Sequence, residues 1–224
     1  MADTTYRLRV DYAKTGRLRH LSHLEVVRAC ERAVRRAGLE YAVTQGFTPR
    51  MKVAFGPALP VGSAGLAESF DLWLRSFVPP AQALEALRGA SPEGLMPVGA
   101  SYVAEGEPSL AAAMVLATYE VLVSGPGMGP GRLAEALDDV VASGSLEIEH
   151  KGKRKVYDLA ICLPEGVRVS EDADRASVGL TVRMGAQGSL RPEVLVREGL
   201  RRAHLEGAVA AVTRTGLRPE QEGV

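Results

Sequence analysis

The sequence predicts an α+β protein of two tandem ferredoxin-like units, each a β-α-β-β-α-β run with an antiparallel sheet and its helices packed on one face. Three observations lead there. Two-residue alternation and 3.6-residue apolar stripes follow one another in that order over residues 1–104. A polar stretch with Gly and Pro, AEGEPS at Ala104–Ser109, then interrupts the pattern. A similar order resumes over residues 110–224, and a chain of 224 residues suits two domains of about 100 residues each.

In the first unit, YRLRVDYAK (Tyr6–Lys14) alternates, with Tyr6, Leu8, Val10 and Tyr12 on one face and Arg7, Arg9 and Asp11 on the other, which predicts a half-buried strand. After the loop TGRLRHL, Ser22–Gly38 predicts a helix with Gly38 as its stop. MKVAFGP (Met51–Pro57) and AESFDLWLRS (Ala67–Ser76) read as strands. PPAQALEALRGA (Pro79–Ala90) opens on proline as helices often do, and GLMPVGASYV (Gly94–Val103) closes the unit as a strand.

The second unit repeats the scheme with little residue identity. MVLATYEVLVSG (Met114–Gly125) predicts a strand, and GRLAEALDDVVAS (Gly131–Ser143) a helix with Leu133, Ala136, Leu137 and Val140 along one stripe. Ser145–His150 and Lys155–Leu163 flank KGKR and predict a β-hairpin with a basic tip. RASVGLTVRMG (Arg175–Gly185) is a further strand, RPEVLVREGLRRA (Arg191–Ala203) a helix opened by Pro192, and GAVAAVTRTGL (Gly207–Leu217) a last strand. The glycine-rich SGPGMGPG (Ser124–Gly131) lacks the GK[ST] ending of a phosphate-cradling loop and reads as a connector.

The helix Ser22–Gly38 is the most informative element. With Ser22 as N-cap, Glu25 falls at the third helical position, so S-x-x-E forms a capping box, and Leu21 and Val26 are placed for the hydrophobic staple. Val26, Val27, Cys30, Ala33, Val34 and Ala37 fall on one stripe, with His23 leaning toward it from the first turn. Arg28, Arg32, Arg35 and Arg36 fall on the opposite side with Glu25. The bland alternative is a solvated face in which Glu31 and Arg35 form an i,i+4 pair.

Apolar content of 46% and charged content of 24% exclude disordered and fibrous classes. No run of about 18 apolar residues occurs, and the start MADTTYRLRV lacks the apolar stretch of a signal peptide, so a cytoplasmic protein without membrane partners is expected. Cys30 and Cys162 stand apart with no Cys or His at metal-binding spacing, so no metal or cofactor is expected. The net charge of zero conceals an asymmetry: residues 1–60 hold 11 basic and 5 acidic groups, residues 61–150 hold 3 and 12, and residues 151–224 hold 13 and 10. A basic N-terminal third is where an anionic partner is sought.

The run from Gly16 to Leu74 resembles the radical-SAM-associated bacterial family of unknown function. The likeness rests on Lys14, Gly16, the SHLE helix start at Ser22, His23, Leu24 and Glu25, and the helix arginines. It continues through the GF-x-P turn of Gly46, Phe47 and Pro49, the PLP-x-G-like Leu59, Pro60 and Gly62, and Glu68. Arg50 and Met51 depart from that family, which often has histidine and proline there. In the family the domain stands alone or is joined to a radical SAM domain. This chain has no C-x-x-x-C-x-x-C motif, so the resemblance implies a companion of such an enzyme and not the enzyme. A looser likeness, of architecture and partner class, is to the repeat-processing endoribonucleases of CRISPR systems.

The expected function is therefore that of a non-catalytic RNA-binding module acting with a radical SAM protein. Phosphate contacts are expected from Lys14, Arg17, Arg19, Arg28, Arg32, Arg35, Arg36, Arg50 and Lys52 in the first unit. In the second they fall to Lys151, Lys153, Arg154 and Lys155 at the hairpin, with Arg197, Arg201 and Arg202 on the last helix. Two alternatives accompany it: a metal-independent ribonuclease in which His23 is general acid or base and Lys14, Arg17 or Arg19 stabilises the phosphorane, and a protein-interaction domain docking on a radical SAM partner. Aromatic content of 5%, without an RNP-like pattern, argues against base stacking on a sheet face.

Overall fold

A computed structural model describes residues 5–126, 131–150, 152–172, 174–185 and 189–220. The chain is mixed α+β with mostly antiparallel strands, and it divides into two compact units, Met1–Met114 and Val115–Val224.

The first unit runs β1 (Tyr6–Lys14), α1 (His23–Arg36), β2 (Val53–Phe55), β3 (Ala64–Leu74), α2 (Pro80–Ala90), β4 (Leu95–Tyr102) and a short α3 (Leu110–Ala113), with a 3-10 turn over Gly16–His20 before α1. β1 lies between β4 and β3, both antiparallel to it, and β2 pairs with the far side of β3. The register opposes Leu8 to Leu72 and Val10 to Phe70, so the alternating apolar residues of both strands share one face. That face is buried against Val26, Ala29, Cys30 and Val34 of α1 and Ala83 and Leu87 of α2, which puts both helices on one side of the sheet.

Charge is buried on the other side. Asp71 of β3 is fully buried and accepts from Arg7 Nε (2.9 Å) and Nη2 (2.6 Å) and from Arg9 Nε (2.9 Å). Arg7 continues to the carbonyl oxygens of Glu107 and Pro108, at 2.7 and 2.8 Å, so the stretch after β4 is held along this unit. Leu110 is fully buried and α3 rests beside β2 and β3. The polar stretch Ala104–Ser109, expected to separate the halves, thus belongs to the first unit, and the division falls after Met114.

The second unit runs β5 (Leu116–Ser124), α4 (Arg132–Ala142), β6 (Ser145–His150), β7 (Lys153–Asp158), α5 (Leu159–Cys162), β8 (Val167–Asp172), β9 (Arg175–Arg183), α6 (Pro192–Arg202) and β10 (Ala208–Arg218). β5 lies between β10 and β9, and β8 pairs outside β9, all antiparallel. β6 and β7 form a separate hairpin. α6 packs closely on α4: a Cβ on Gly199 would come within 2.7 Å of Leu137.

Two expectations change in this unit. The strand expected over Lys155–Leu163 ends at Asp158, whose carboxylate accepts from Ile161 N–H at 3.2 Å and so caps α5. β8, not expected at all, is an edge strand in which Val167 and Val169 are only half-buried. Of SGPGMGPG, residues 127–130 lie outside the described residues.

Candidate nucleic-acid interface

The capping box predicted for α1 forms. The Glu25 carboxylate accepts from Ser22 N–H at 2.8 Å and from Ser22 Oγ at 2.7 Å. Hydrogen bonding from the Ser22 side chain and then its backbone holds the Glu25 carboxyl below its usual range, with Arg28 and Lys14 adding attraction. This start fixes the rotation of the helix. Val26, Ala29, Cys30, Ala33 and Val34 are buried, Val27 is half-buried, and Arg28, Arg32, Arg35 and Arg36 face solvent. Arg35 meets Glu31 at 3.4 Å. Among the described residues Arg28, Arg32 and Arg36 have no ion pair, so their charge is available to an outside anion.

α1 begins just past the end of β1 and covers the sheet, so its last turn returns to the end of the sheet where β1 starts. There the bridge Tyr41–Leu74 stands across from the Tyr6–Leu74 pair, and Val43 bridges Met51. Thr44 and Arg50 close the loop between them: Thr44 N–H donates to the Arg50 carbonyl oxygen at 2.8 Å, and Arg50 N–H to Thr44 Oγ1 at 3.1 Å. Gly46, at φ +146°, makes the bend, and the ring of Phe47 stands wholly in solvent at 111% relative exposure. At the foot of this loop lies a groove of about 610 Å³ that includes Lys52 and Arg75 in its walls. The Lys52 ammonium sits 4.8 Å from the centre of the Trp73 ring.

The opposite end of α1, about 20 Å away along the 14-residue helix, holds the 3-10 turn with Arg17 exposed and Arg19 half-buried. Arg19 Nε donates to His20 Nε2 at 3.2 Å. Here one expectation is corrected. Lys14 is not on the surface: it is 2% exposed and its ammonium donates to the Leu21 carbonyl oxygen at 2.8 Å. Its position continues the buried series Leu8, Val10, Tyr12, so alternation itself turns it inward. His23, exposed in the first turn, leans toward the apolar side as expected, its ring edge-on to Phe55 with centroids 5.7 Å apart. Lys14, His23 and Glu68 line one pocket with about 10 Å³ of room, enough for about one water and too little for a nucleotide.

In the second unit, Lys151 and the side chain of Lys153 lie outside the described residues. Arg154 pairs with Glu147 across the hairpin, and the Lys155 ammonium lies 4.6 Å from the Tyr157 ring centre. Arg201 and Arg202 both bind Glu198, at 2.7 and 2.9 Å, while Arg197 is exposed. Arg154, Arg201 and Arg202 are thus engaged by carboxylates of their own unit, the last two by the single Glu198. Among the described residues no group of His, Cys, Asp and Glu is placed to hold a metal ion, and no helix is long and apolar enough to cross a membrane.

The residues that pattern reading did not assign are Tyr41, Thr44, Gln45 and Arg75 at the groove, Phe47 further along the same loop, and Glu68 in the pocket. Glu68 was legible from the same alternation as Lys14, since it precedes Phe70, Leu72 and Leu74 by steps of two. The groove residues come from separate stretches and meet only through strand pairing.

Fold and surface together define an α+β protein of two antiparallel-sheet units, the first of which carries a cationic outer helix. The chain belongs to the family described as uncharacterized protein conserved in bacteria (DUF2344), whose profile matches residues 7–192. No curated protein matches the sequence. Among solved structures, it is similar to one chain of a Cbf5-Nop10-Gar1 complex at 13% identity and a TM-score of 0.51, over 96% of this chain and 50% of that one. The chain thus spans half the length of that neighbour, and the likeness is one of fold. An unknown protein from Galdieria sulphuraria aligns over 96% of this chain and 99% of its own at 13% identity, with a TM-score of 0.27. The regulatory subunit of aspartate kinase from Thermus thermophilus aligns over 89% and 91% at 13% identity, with a TM-score of 0.23. At those scores neither bears on function.

Proposed function

We propose that the chain is a non-catalytic RNA-binding module that acts beside a radical SAM enzyme, each of its units a ferredoxin-like fold that presents a helix outward. The observation that carries the reading is the row Arg28, Arg32 and Arg36, exposed on α1 with no ion pair among the described residues. The row differs in this from Arg201 and Arg202 on α6, which share the carboxylate of Glu198. Guanidinium groups left open at helical spacing suit successive phosphates, which contribute affinity without sequence choice. The radical SAM partner rests on the resemblance of the SHLE, GF-x-P and Leu59–Gly62 segments.

The test is retention of cellular RNA on immobilised protein at low salt. Replacing Arg28, Arg32 and Arg36 with glutamate is expected to abolish it, and undiminished retention contradicts the proposal. Co-purification of a radical SAM protein from RNase-treated extract, lost in the same variant, would instead make this face a protein-docking surface.

A further inference from the structure

Phe47 poses a physical problem that RNA contact by α1 does not answer. A phenylalanine left wholly in water forgoes the burial that usually places it inside a protein. It is not on a slack tail, since both Thr44–Arg50 hydrogen bonds close the loop beneath it. The loop therefore holds an aromatic ring out, with Gly46 supplying the turn.

The same loop enters the wall of the groove at its foot through Thr44 and Gln45, and that groove has about 610 Å³ of room, within the range of small-molecule sites. Tyr41, Thr44 and Gln45 supply hydroxyl and amide groups, Lys52 and Arg75 supply positive charge, and no carboxylate is among its described lining residues. Neither cation has an ion pair among the described residues, and Arg50 at the loop's end adds a third. The last turn of α1, with Arg35 and Arg36, lies at this same end of the sheet. An anionic strand following the arginines of α1 would leave the helix toward this groove.

We propose that the groove takes one unpaired nucleotide of an RNA strand, its phosphate on Lys52 and Arg75 and its base against the ring of Phe47. This rests on the RNA-binding reading and specifies it: the strand is single at this point, because a base inside a duplex has both faces covered by its stacked neighbours. A flat exposed ring on the loop that borders a cationic groove, with neutral hydrogen-bonding groups in the groove wall, matches a base and its phosphate. An acidic protein surface would meet the cations but would leave Phe47 without an apolar pocket of its own.

The experiment compares fluorescein-labelled oligouridine of about 12 nucleotides with a blunt RNA duplex of the same length, by anisotropy, on the whole chain. Phe47→Ala is expected to weaken single-strand binding about tenfold or more and to leave duplex binding unchanged, and Phe47→Trp to restore it. Lys52→Gln with Arg75→Gln is expected to weaken the single strand more than the duplex. If Phe47→Ala weakens both probes alike, or neither, while replacement of Arg28, Arg32 and Arg36 weakens both, the groove assignment falls and the RNA-binding reading stands. If the intact protein binds neither probe at low salt, both fall. Phe47 touches no core residue, so its variants are expected to fold, and circular dichroism checks it.

Discussion

The ammonium of Lys14 donates to the carbonyl oxygen of Leu21 at 2.8 Å, tying the last residue of β1 to the residue before the α1 cap. The bond anchors the approach to α1, whose rotation the capping box at Ser22 and Glu25 and the buried stripe then set. Lys14→Met removes a buried ammonium and leaves the part-buried Leu21 carbonyl without this donor, and is expected to destabilise the protein by about 2 kcal/mol in urea unfolding. RNA affinity of the folded variant should keep its salt dependence, because Lys14 touches no phosphate. Unchanged stability with a shallower salt slope would return Lys14 to the surface.

Asp71→Asn removes the charge that both Arg7 and Arg9 address from the sheet. Two guanidinium groups, 16% and 20% exposed, then share a neutral amide. The expected loss is about 3 kcal/mol, read as a lower urea midpoint with an unchanged slope. A loss below about 0.5 kcal/mol would place the pair among surface ion pairs of little worth.

Much of the fold was legible because local signals and burial agree. The alternation Leu8, Val10, Tyr12 and the S-x-x-E start of α1 each describe a surface that the structure buries or caps as expected. β8 was not legible, since VRVSED offers two valines and then only polar residues, and it pairs at an edge where neither valine is fully covered. Lys14 was legible and misread: its charge suggested surface, while its place in the two-residue period pointed inward. The groove could not be read at all, because Tyr41 reaches Leu74, and Val43 reaches Met51, only through tertiary pairing.

Acid should expose the second unit's ion pairs. Hydrogen bonding from Arg201, and then Arg202, lowers the Glu198 carboxyl from its usual 4.5 to about 2 against the opposing effect of burial. A lowered carboxyl pKa contributes stability that is complete above the unfolded value and is lost as pH falls through the folded one. Stability should therefore decline between about pH 4.5 and 2 through this site, and Glu198→Gln should flatten that part of the profile in pH-dependent urea unfolding. An unaltered profile would mean the carboxylate is not held in solution.

Cys30 lies under α1 at 6% exposure, and burial pushes its thiol up to about 12. Iodoacetamide at pH 8 is expected to leave Cys30 unmodified in the folded protein and to alkylate it only in denaturant, as peptide mass analysis would show. Cys162, half-buried at the end of α5, is the internal comparison. Rapid labelling of Cys30 under native conditions would mean α1 lifts from the sheet, and the arginine row with it.

The salt dependence of RNA binding bears most directly on the claim that α1 is a phosphate-contacting surface. Affinity for single-stranded RNA, plotted as log K against log salt, should fall along a line for the intact protein. Replacing Arg28, Arg32 and Arg36 with alanine removes three cationic groups, so the slope should become shallower by about 2, at about 0.7 per phosphate contact. The same slope in the variant and the intact protein, or no binding by the intact protein at low salt, would contradict the account.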